Sequence, residues 1–199
     1  MHYIKYLPLA FLSIHLLLFG CTSSTKSNSN QKSENSTANV EDTMVQVADD
    51  RGYIVKVGDM APDFEMSFPD GKSVILSSLR GKVVMLQFTA SWCGVCRKEM
   101  PHIEKDIWEK HRNNPNFVLY GIDREEPAEK IEELINKTGV TYPIGLDPDA
   151  GIFTLYAKKE AGITRNVIIG KDGRIVMLTR LYDEEEFKEM VELIDKLLE

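Results

Sequence analysis

Cysteine is scarce in this sequence, with three residues among 199: Cys21, Cys93 and Cys96. So few thiols exclude a scaffold held by several disulfides, and the fold must be stabilised by its core. They also argue against zinc, because a tetrahedral site needs a second pair of ligands, and the histidines His102 and His111 lie too far apart to supply it. We therefore expect neither a metal nor an organic cofactor.

Positive charge is also in short supply. Lys and Arg number 24 against 31 Asp and Glu, which gives a net charge of -7 at neutral pH. Nucleic-acid-binding proteins usually carry a basic stripe or patch, and this sequence has none. We therefore expect no nucleic-acid partner.

A long uninterrupted apolar run is the third missing feature. The apolar stretch that begins at Leu7 is too short and interrupted to predict a membrane-spanning helix, but it suits a signal peptide over residues 1–20. It ends Leu18-Phe19-Gly20-Cys21, which resembles a bacterial lipobox, whose cysteine carries lipid after cleavage. The alternative is an ordinary signal peptide followed by a stray cysteine.

The lipobox resemblance implies a location. Residues 21–52, which begin as a run of Ser, Thr, Asn, Gln and Lys, would form a lipidated, flexible tether for a domain over residues 53–199. The protein would then be anchored in a bacterial cell envelope and face the periplasm. In an oxidising compartment, a reactive thiol pair acts as an oxidant or is kept reduced by an upstream redox partner.

The remaining two cysteines form a Cys-x-x-Cys motif at a strand-to-helix junction. An apolar run, Val83–Phe88, predicts a buried strand, and Met100, Ile103 and Ile107 have helical spacing after it. A helix N-terminus favours a thiolate at Cys93, which would attack disulfides, and Cys96 lies one turn away to resolve the mixed disulfide. Half of a zinc site or a static disulfide are the alternatives.

The order of predicted elements is hairpin, β, α, β, α, β, β, α. The hairpin turns at Asp70-Gly71, strands are predicted at 117–122, 166–169 and 175–178, and an extended segment at 140–144. Helices are predicted before Gly139, over residues 149–157 and after Asp183, where Glu186 completes a capping box. Alternating strands and helices predict an α/β fold with a mixed central sheet covered on both faces.

The chain resembles the thioredoxin-fold thiol–disulfide oxidoreductases of the TlpA/ResA-like type, within the AhpC/TSA–Redoxin superfamily. The resemblance covers residues 57–198 and is carried by Gly58-Asp59-Met60-Ala61-Pro62-Asp63-Phe64, Leu79-Arg80-Gly81-Lys82-Val83-Val84, Trp92-Cys93-Gly94-Val95-Cys96-Arg97-Lys98-Glu99-Met100-Pro101 and Leu146-Asp147-Pro148-Asp149. It implies a thioredoxin-like fold with an N-terminal β-hairpin and a redox pair at a helix tip, acting on protein dithiols and disulfides.

The resemblance also implies roles around the pair. Trp92 would shield the disulfide, with core packing as the alternative. Apart from the resemblance, we expect Gly94 and Val95 to tune the reduction potential because they lie between the two cysteines. Glu99 would move protons to or from Cys96, with an exposed surface carboxylate as the alternative. Pro101, inside the helix, would kink it.

Three positions stand apart from thioredoxin's pattern. Gln87 replaces a buried acid six residues before the first cysteine, so Glu99 is the better candidate base. Thr164 occupies the place of the usual cis-proline, and we expect a trans Ile163–Thr164 bond because other cis bonds cost about 2.5–4 kcal/mol. Arg165 resembles a peroxiredoxin arginine that would lie near Cys93; the alternative is a surface Arg165 paired with an acid.

Three functions compete on these observations. The favoured one is a membrane-anchored thiol–disulfide oxidoreductase that exchanges disulfides with protein partners through Cys93 and Cys96. A peroxiredoxin-like thiol peroxidase is the second, motivated by Thr164-Arg165. A non-catalytic envelope binding protein that keeps the fold as a scaffold is the third.

Overall fold

A seven-stranded mixed β-sheet organises the part of the chain that the computed structural model describes, residues 51–199. The strands lie in the spatial order β2-β1-β5-β4-β3-β6-β7. The three central strands β5, β4 and β3 are parallel to one another. The strand bounds are β1 (Glu65–Ser67), β2 (Ser73–Ile75), β3 (Val83–Thr89), β4 (Phe117–Arg124), β5 (Ile144–Asp147), β6 (Arg165–Ile169) and β7 (Ile175–Arg180). The predicted α/β class and mixed sheet are confirmed.

Helices cover both faces of this sheet. They are α1 (Gly94–Ile103), α2 (Glu109–His111), α3 (Glu129–Thr138), α4 (Phe153–Tyr156) and α5 (Glu184–Leu198), with a 3₁₀ turn at Leu76–Leu79. The helix predicted over 149–157 is mostly wrong, because Ala150 adopts a φ of 60°, which an α-helix cannot contain. The predicted order also omitted β5, which begins where the expected extended segment ends.

The core lies in two layers, one on each face of the sheet. All seven residues of β3 are buried, as a strand covered on both faces requires. One layer packs Phe88 against Phe153 and Tyr156. The other layer joins β3 and β4 to α1, α3 and α5, and includes Met100, Ile103, Ile107, Ile131, Leu134, Met190 and Ile194.

The helix that follows the cysteines runs through Pro101 without ending. Proline has no N–H to donate to the carbonyl of Arg97, one turn earlier. Three residues later the hydrogen bonding widens into a π-helical turn, Glu104–Trp108, which leads into α2. The interior proline is thus tolerated, and the kink predicted there stays a prediction.

Most of the turn and helix-cap residues predicted from the sequence occupy the expected turns and helix ends. Gly71 has a φ of 82° in the turn between β1 and β2, and Gly139 ends α3 with a φ of 73°. Asp183 caps α5 by accepting from the N–H groups of Glu185 and Glu186. In a capping box, the Glu186 side chain would also accept from the Asp183 N–H. That part of the prediction is wrong, because the Glu186 carboxylate accepts from the Arg180 N–H instead.

The packed body begins no later than Arg51, whose guanidinium pairs with Glu186 at 2.8 Å, two residues before the predicted boundary at Tyr53. The signal peptide over 1–20, the lipid at Cys21 and the tether up to residue 50 lie outside the described residues. Between residues 51 and 199, no helix is both long and apolar enough to cross a bilayer.

Candidate active site

The two motif cysteines lie where β3 gives way to α1. Cys93 is the N-cap residue of α1, and its sulfur accepts a hydrogen bond from the Cys96 N–H at 3.1 Å. The two are joined by a disulfide, with an S–S distance of 2.10 Å and Cα atoms 5.3 Å apart. Cys93 is 7 % exposed and Cys96 is fully buried, so Cys93 is the sulfur that a partner reaches first.

Thr164 brings a hydroxyl to both sulfurs. Its Oγ1 lies 3.2 Å from Cys93 Sγ and 3.3 Å from Cys96 Sγ. Since the sulfurs of a disulfide carry no proton, the hydroxyl is the donor. The Thr164 carbonyl accepts from the Leu181 N–H at 2.9 Å, which fixes the loop just before β6. The residue in the expected cis-proline position therefore contacts the redox pair directly.

Glu99 is buried on the second turn of α1, with 1 % of its surface exposed. Its Oε1 accepts from Asn166 Nδ2 at 2.7 Å and its Oε2 from Gln87 Nε2 at 3.3 Å. Burial raises the pKa of the Glu99 carboxyl to about 7, although both hydrogen bonds act in the opposite direction. The alternative of an exposed surface carboxylate is wrong, and Glu99 is placed to gain or lose a proton near neutral pH.

A chain of buried hydrogen bonds extends from Glu99 in two directions. Gln87 Oε1 accepts from the Tyr142 hydroxyl at 2.6 Å, and Asn166 Nδ2 also donates to Thr179 Oγ1 at 2.9 Å. Burial raises the pKa of Tyr142 well above its usual value, so its hydroxyl stays protonated. Sequence reasoning missed Asn166, Tyr142 and Thr179; the available signal was polar side chains inside strands that are otherwise apolar.

Two apolar residues next to the cysteines in sequence, Trp92 and Val95, are exposed. Trp92 is 62 % exposed and Val95 is 38 % exposed, and Gly94 between them is also exposed. The alternative that Trp92 packs in the core is wrong. Shielding of the disulfide by Trp92 stays a prediction, as does tuning of the potential by Gly94 and Val95.

Arg165 is buried, with 1 % exposure, so the surface alternative is wrong. Its Nε donates to the Gly162 carbonyl at 2.8 Å, and its guanidinium lies 4.4 Å from the centre of the Tyr53 ring. Side chains alternate along β6, and Asn166 next to it faces Glu99 on α1. Arg165 therefore lies on the opposite face of the sheet from α1, and the expected action on Cys93 stays a prediction.

The histidines considered as zinc ligands have other partners. His102 stacks on Tyr182 with ring centres 5.1 Å apart, and His111 Nε2 lies 2.7 Å from an oxygen of Asp195. Across residues 51–199, no group of three His, Cys, Asp or Glu side chains is arranged to hold a metal ion.

Comparison with known proteins agrees with this geometry. The Redoxin family model matches residues 56–194. The thiol-disulfide oxidoreductase ResA of Halalkalibacterium halodurans is 28 % identical over 142 residues, which cover 71 % of this chain and 78 % of ResA.

Solved structures give the same fold. A Bacteroides thetaiotaomicron protein, provisionally named a protein disulfide isomerase, is 66 % identical, with a TM-score of 0.72 over 74 % of this chain and 92 % of its own. The thioredoxin domain of a Bacteroides vulgatus thiol-disulfide oxidoreductase is 22 % identical, with a TM-score of 0.58 over 70 % and 97 % of the two chains. Taken with the disulfide at the tip of α1, these matches show that the chain belongs to the Redoxin family and is a ResA-like thiol–disulfide oxidoreductase.

Proposed function

We propose that this protein is anchored in the bacterial cell envelope, faces the periplasm, and exchanges disulfides with protein partners through Cys93 and Cys96. The observation that carries the proposal is the Cys93/Cys96 disulfide at the N-terminus of α1, with Cys93 as the more exposed sulfur. Thiol–disulfide oxidoreductases act in general on protein disulfides, and an exposed Trp92 beside the pair offers apolar surface for such a substrate.

Two features stabilise a thiolate on Cys93 in the reduced protein: the first turn of α1 and the Thr164 hydroxyl. The first-turn N–H groups of α1 concentrate positive charge at its N-terminus, and the Cys96 N–H already points at the sulfur at 3.1 Å. The Thr164 hydroxyl, 3.2 Å away, supplies a further hydrogen bond. The thiolate is the attacking form in disulfide exchange, so these contacts favour Cys93 as the nucleophile.

The exchange runs in two balanced steps. The Cys93 thiolate attacks one sulfur of a substrate disulfide; a Cys93–substrate disulfide forms, and the substrate's other sulfur leaves as a thiolate that takes a proton from solvent. Cys96 then loses its proton and attacks Cys93 Sγ, so that the second substrate sulfur leaves and the Cys93/Cys96 disulfide forms. Two electrons pass from the pair to the substrate, and the reverse sequence oxidises a substrate dithiol.

Glu99 handles the proton of the second step. It lies on the same helix as Cys96, three residues later, and its buried carboxyl has a pKa of about 7. An ionised Glu99 accepts the proton as Cys96 becomes a thiolate, and a neutral Glu99 returns it when the disulfide is reduced. Gln87 and Asn166 hold the carboxylate in place through the amide groups described above.

The experiment that tests the exchange chemistry is a trap. Replacing Cys96 by serine removes the resolving thiol, and we expect the variant to accumulate mixed disulfides with protein partners through Cys93, which a reductant releases. The matched Cys93→Ser variant should form none. If the Cys96→Ser protein forms no adducts with protein thiols or disulfides, the proposed use of this pair is wrong.

The anchor needs a separate test, since residues 1–20, Cys21 and the tether rest on sequence pattern alone. We expect the chain expressed in a bacterium to incorporate labelled fatty acid and to sediment with membranes. Replacing Cys21 by serine should abolish the label. Fatty-acid incorporation that survives this change would contradict lipidation at Cys21.

A further inference from the structure

Ser91, two residues before Cys93, makes three hydrogen bonds to charged side chains. Its N–H donates to Glu126 Oε2 at 2.5 Å and its hydroxyl donates to Glu126 Oε1 at 2.6 Å. Its carbonyl accepts from the Arg97 guanidinium on α1. Every polar group of Ser91 therefore has a charged partner, and Glu126 uses both carboxylate oxygens on this one residue.

A second carboxylate, Asp123, lies near the end of β4, three residues before Glu126 in the chain. It is fully buried, and within residues 51–199 neither of its oxygens accepts a hydrogen bond from a donor. Its partners across the sheet, Thr89 on β3 and Leu146 on β5, are neutral. The polar group that Asp123 does face is the Glu126 carboxylate.

Two carboxylates in contact form a hydrogen bond only when one of them carries a proton. Burial, and then the charge of Glu126, raise the pKa of Asp123 to about 7. Both Glu126 oxygens already act as acceptors toward Ser91, so we place the proton between the two carboxylates on Asp123. The Asp123 hydroxyl then donates to Glu126.

The other charged groups nearby act on Glu126 and Ser91 rather than on Asp123. Arg97 of α1 reaches the Ser91 carbonyl, and Lys130 of α3 lies within electrostatic range of Glu126. Arg124, next along β4, points to the opposite face, where its guanidinium lies 4.1 Å from the centre of the Phe153 ring. No cation of the described residues is therefore placed to neutralise an ionised Asp123.

We propose that Asp123 and Glu126 are positioning residues that share one proton and, through Ser91, hold the loop that carries Cys93 in its reactive place. When Asp123 is protonated, it supports Glu126, and Glu126 anchors Ser91. When Asp123 ionises, its buried negative charge repels the adjacent, half-buried Glu126 carboxylate, and the Glu126–Ser91 hydrogen bonds weaken. This role rests on the proposed redox function of Cys93 and Cys96, but it is distinct from proton transfer by Glu99.

The Ser91 amide reports the state of the pair directly. In the oxidised protein, we expect its proton and nitrogen resonances to shift with a single transition near neutral pH as Asp123 loses its proton. Asp123→Asn should abolish the transition and leave the low-pH resonance in place at all pH values, because the asparagine amide donates permanently to Glu126. Glu99→Gln should leave the transition unchanged, which separates this pair from the other buried acid.

Reactivity of Cys93 gives the functional readout. In a Cys96→Ser background, we expect the rate of alkylation by iodoacetamide, divided by the thiolate fraction, to fall above neutral pH. The Asp123→Asn chain should match the parent at pH 6 and exceed it at least about threefold at pH 8.5, since small displacements of a reacting group change rates strongly. Glu129→Gln, an exposed acid on α3, is the matched control and should follow the parent throughout.

Two further variants keep the test decisive if Asp123→Asn folds poorly. Glu126→Gln should remove the Ser91 transition and weaken the Ser91 N–H hydrogen bond at every pH. Glu126→Asp keeps a carboxylate and should retain part of the Ser91 transition. A Ser91 transition that persists in Asp123→Asn, or that is absent from the parent between pH 5 and pH 9, overturns the proposal. Loss of redox activity in the parent would instead refute the proposed function, and the Ser91 transition would still be measurable.

Discussion

Replacing Glu99 by glutamine should change how the stability of the protein depends on pH. The carboxyl is 1 % exposed, and burial raises its pKa from an ordinary value of 4.5 to about 7. In the unfolded chain, Glu99 is in water and loses its proton at the ordinary value. Between these two pKa values, the folded chain keeps a proton that the unfolded chain has released.

This difference fixes the sign and the size of the effect. Where the folded state binds more protons, the free energy of unfolding falls as pH rises. Each pKa unit between the two states is worth about 1.4 kcal/mol, so the wild-type chain loses about 3 kcal/mol from this group between pH 4.5 and pH 8. Glutamine does not ionise, so the free energy of unfolding of the Glu99→Gln chain should not fall with pH for this reason.

The measurement is urea or guanidinium unfolding of both oxidised chains at a series of pH values from 4.5 to 8. Removing a buried acid also has a pH-independent cost, which cancels when the two ends of the series are compared. We expect the stability of the variant relative to wild type to rise by about 3 kcal/mol across the series. The exposed control Glu129→Gln should stay within about 0.5 kcal/mol of wild type.

A change below about 1 kcal/mol would refute the reasoning, because it would mean that Glu99 ionises in the folded chain near its ordinary pKa. The carboxylate would then be better solvated than its burial and its two amide partners indicate. The assignment of Glu99 as the group that accepts a proton from Cys96 near neutral pH would lose its physical basis.

Two further substitutions test the redox pair and the fold. Thr164→Val removes the hydroxyl at 3.2 Å from Cys93 Sγ; hydrogen bonds to charged groups are worth about 1.5–3 kcal/mol, so alkylation of Cys93 at pH 7 should slow about tenfold, whereas Thr164→Ser should keep most of the rate. Asp183→Ala removes the cap of α5 and should lower the free energy of unfolding by about 1 kcal/mol, whereas Asp183→Asn should retain most of it in the same denaturation assay.

Local pattern was enough to predict the elements that build the sheet. The apolar run at Val83–Phe88 became β3 with one added residue, and Gly71 and Gly139 marked the turns expected of them. The failures came where a residue departs from its local tendency. Ala150 takes up a left-handed conformation, which shortens the helix predicted over 149–157 to a single turn, Phe153–Tyr156.

The sequence motif predicted the cysteine pair of the site but not the burial of Glu99. The Cys-x-x-Cys spacing and the following helix predicted a pair within bonding distance, and Cys93 and Cys96 are disulfide-bonded at the tip of α1. The sequence left Glu99 undecided between buried and exposed, because burial depends on Gln87 and Asn166, which lie on strands far from it along the chain.

Neither of the two alternatives for Arg165 included its place on the far face of the sheet, since strand alternation is known only once the register is fixed. The sequence analysis also did not identify Glu126, which hydrogen-bonds to Ser91 in the loop before Cys93. Glu126 follows Ser91 by 35 positions, and nothing in either local pattern indicates that they meet.

The most direct test of the central claim is the redox equilibrium of the Cys93/Cys96 pair against glutathione or dithiothreitol buffers. We predict a reversible two-electron couple. A value near that of thioredoxin, about -270 mV, would indicate a reductant, and a value near that of DsbA, about -120 mV, an oxidant. A pair that stays oxidised or reduced across the whole range, without a reversible transition, would contradict the account.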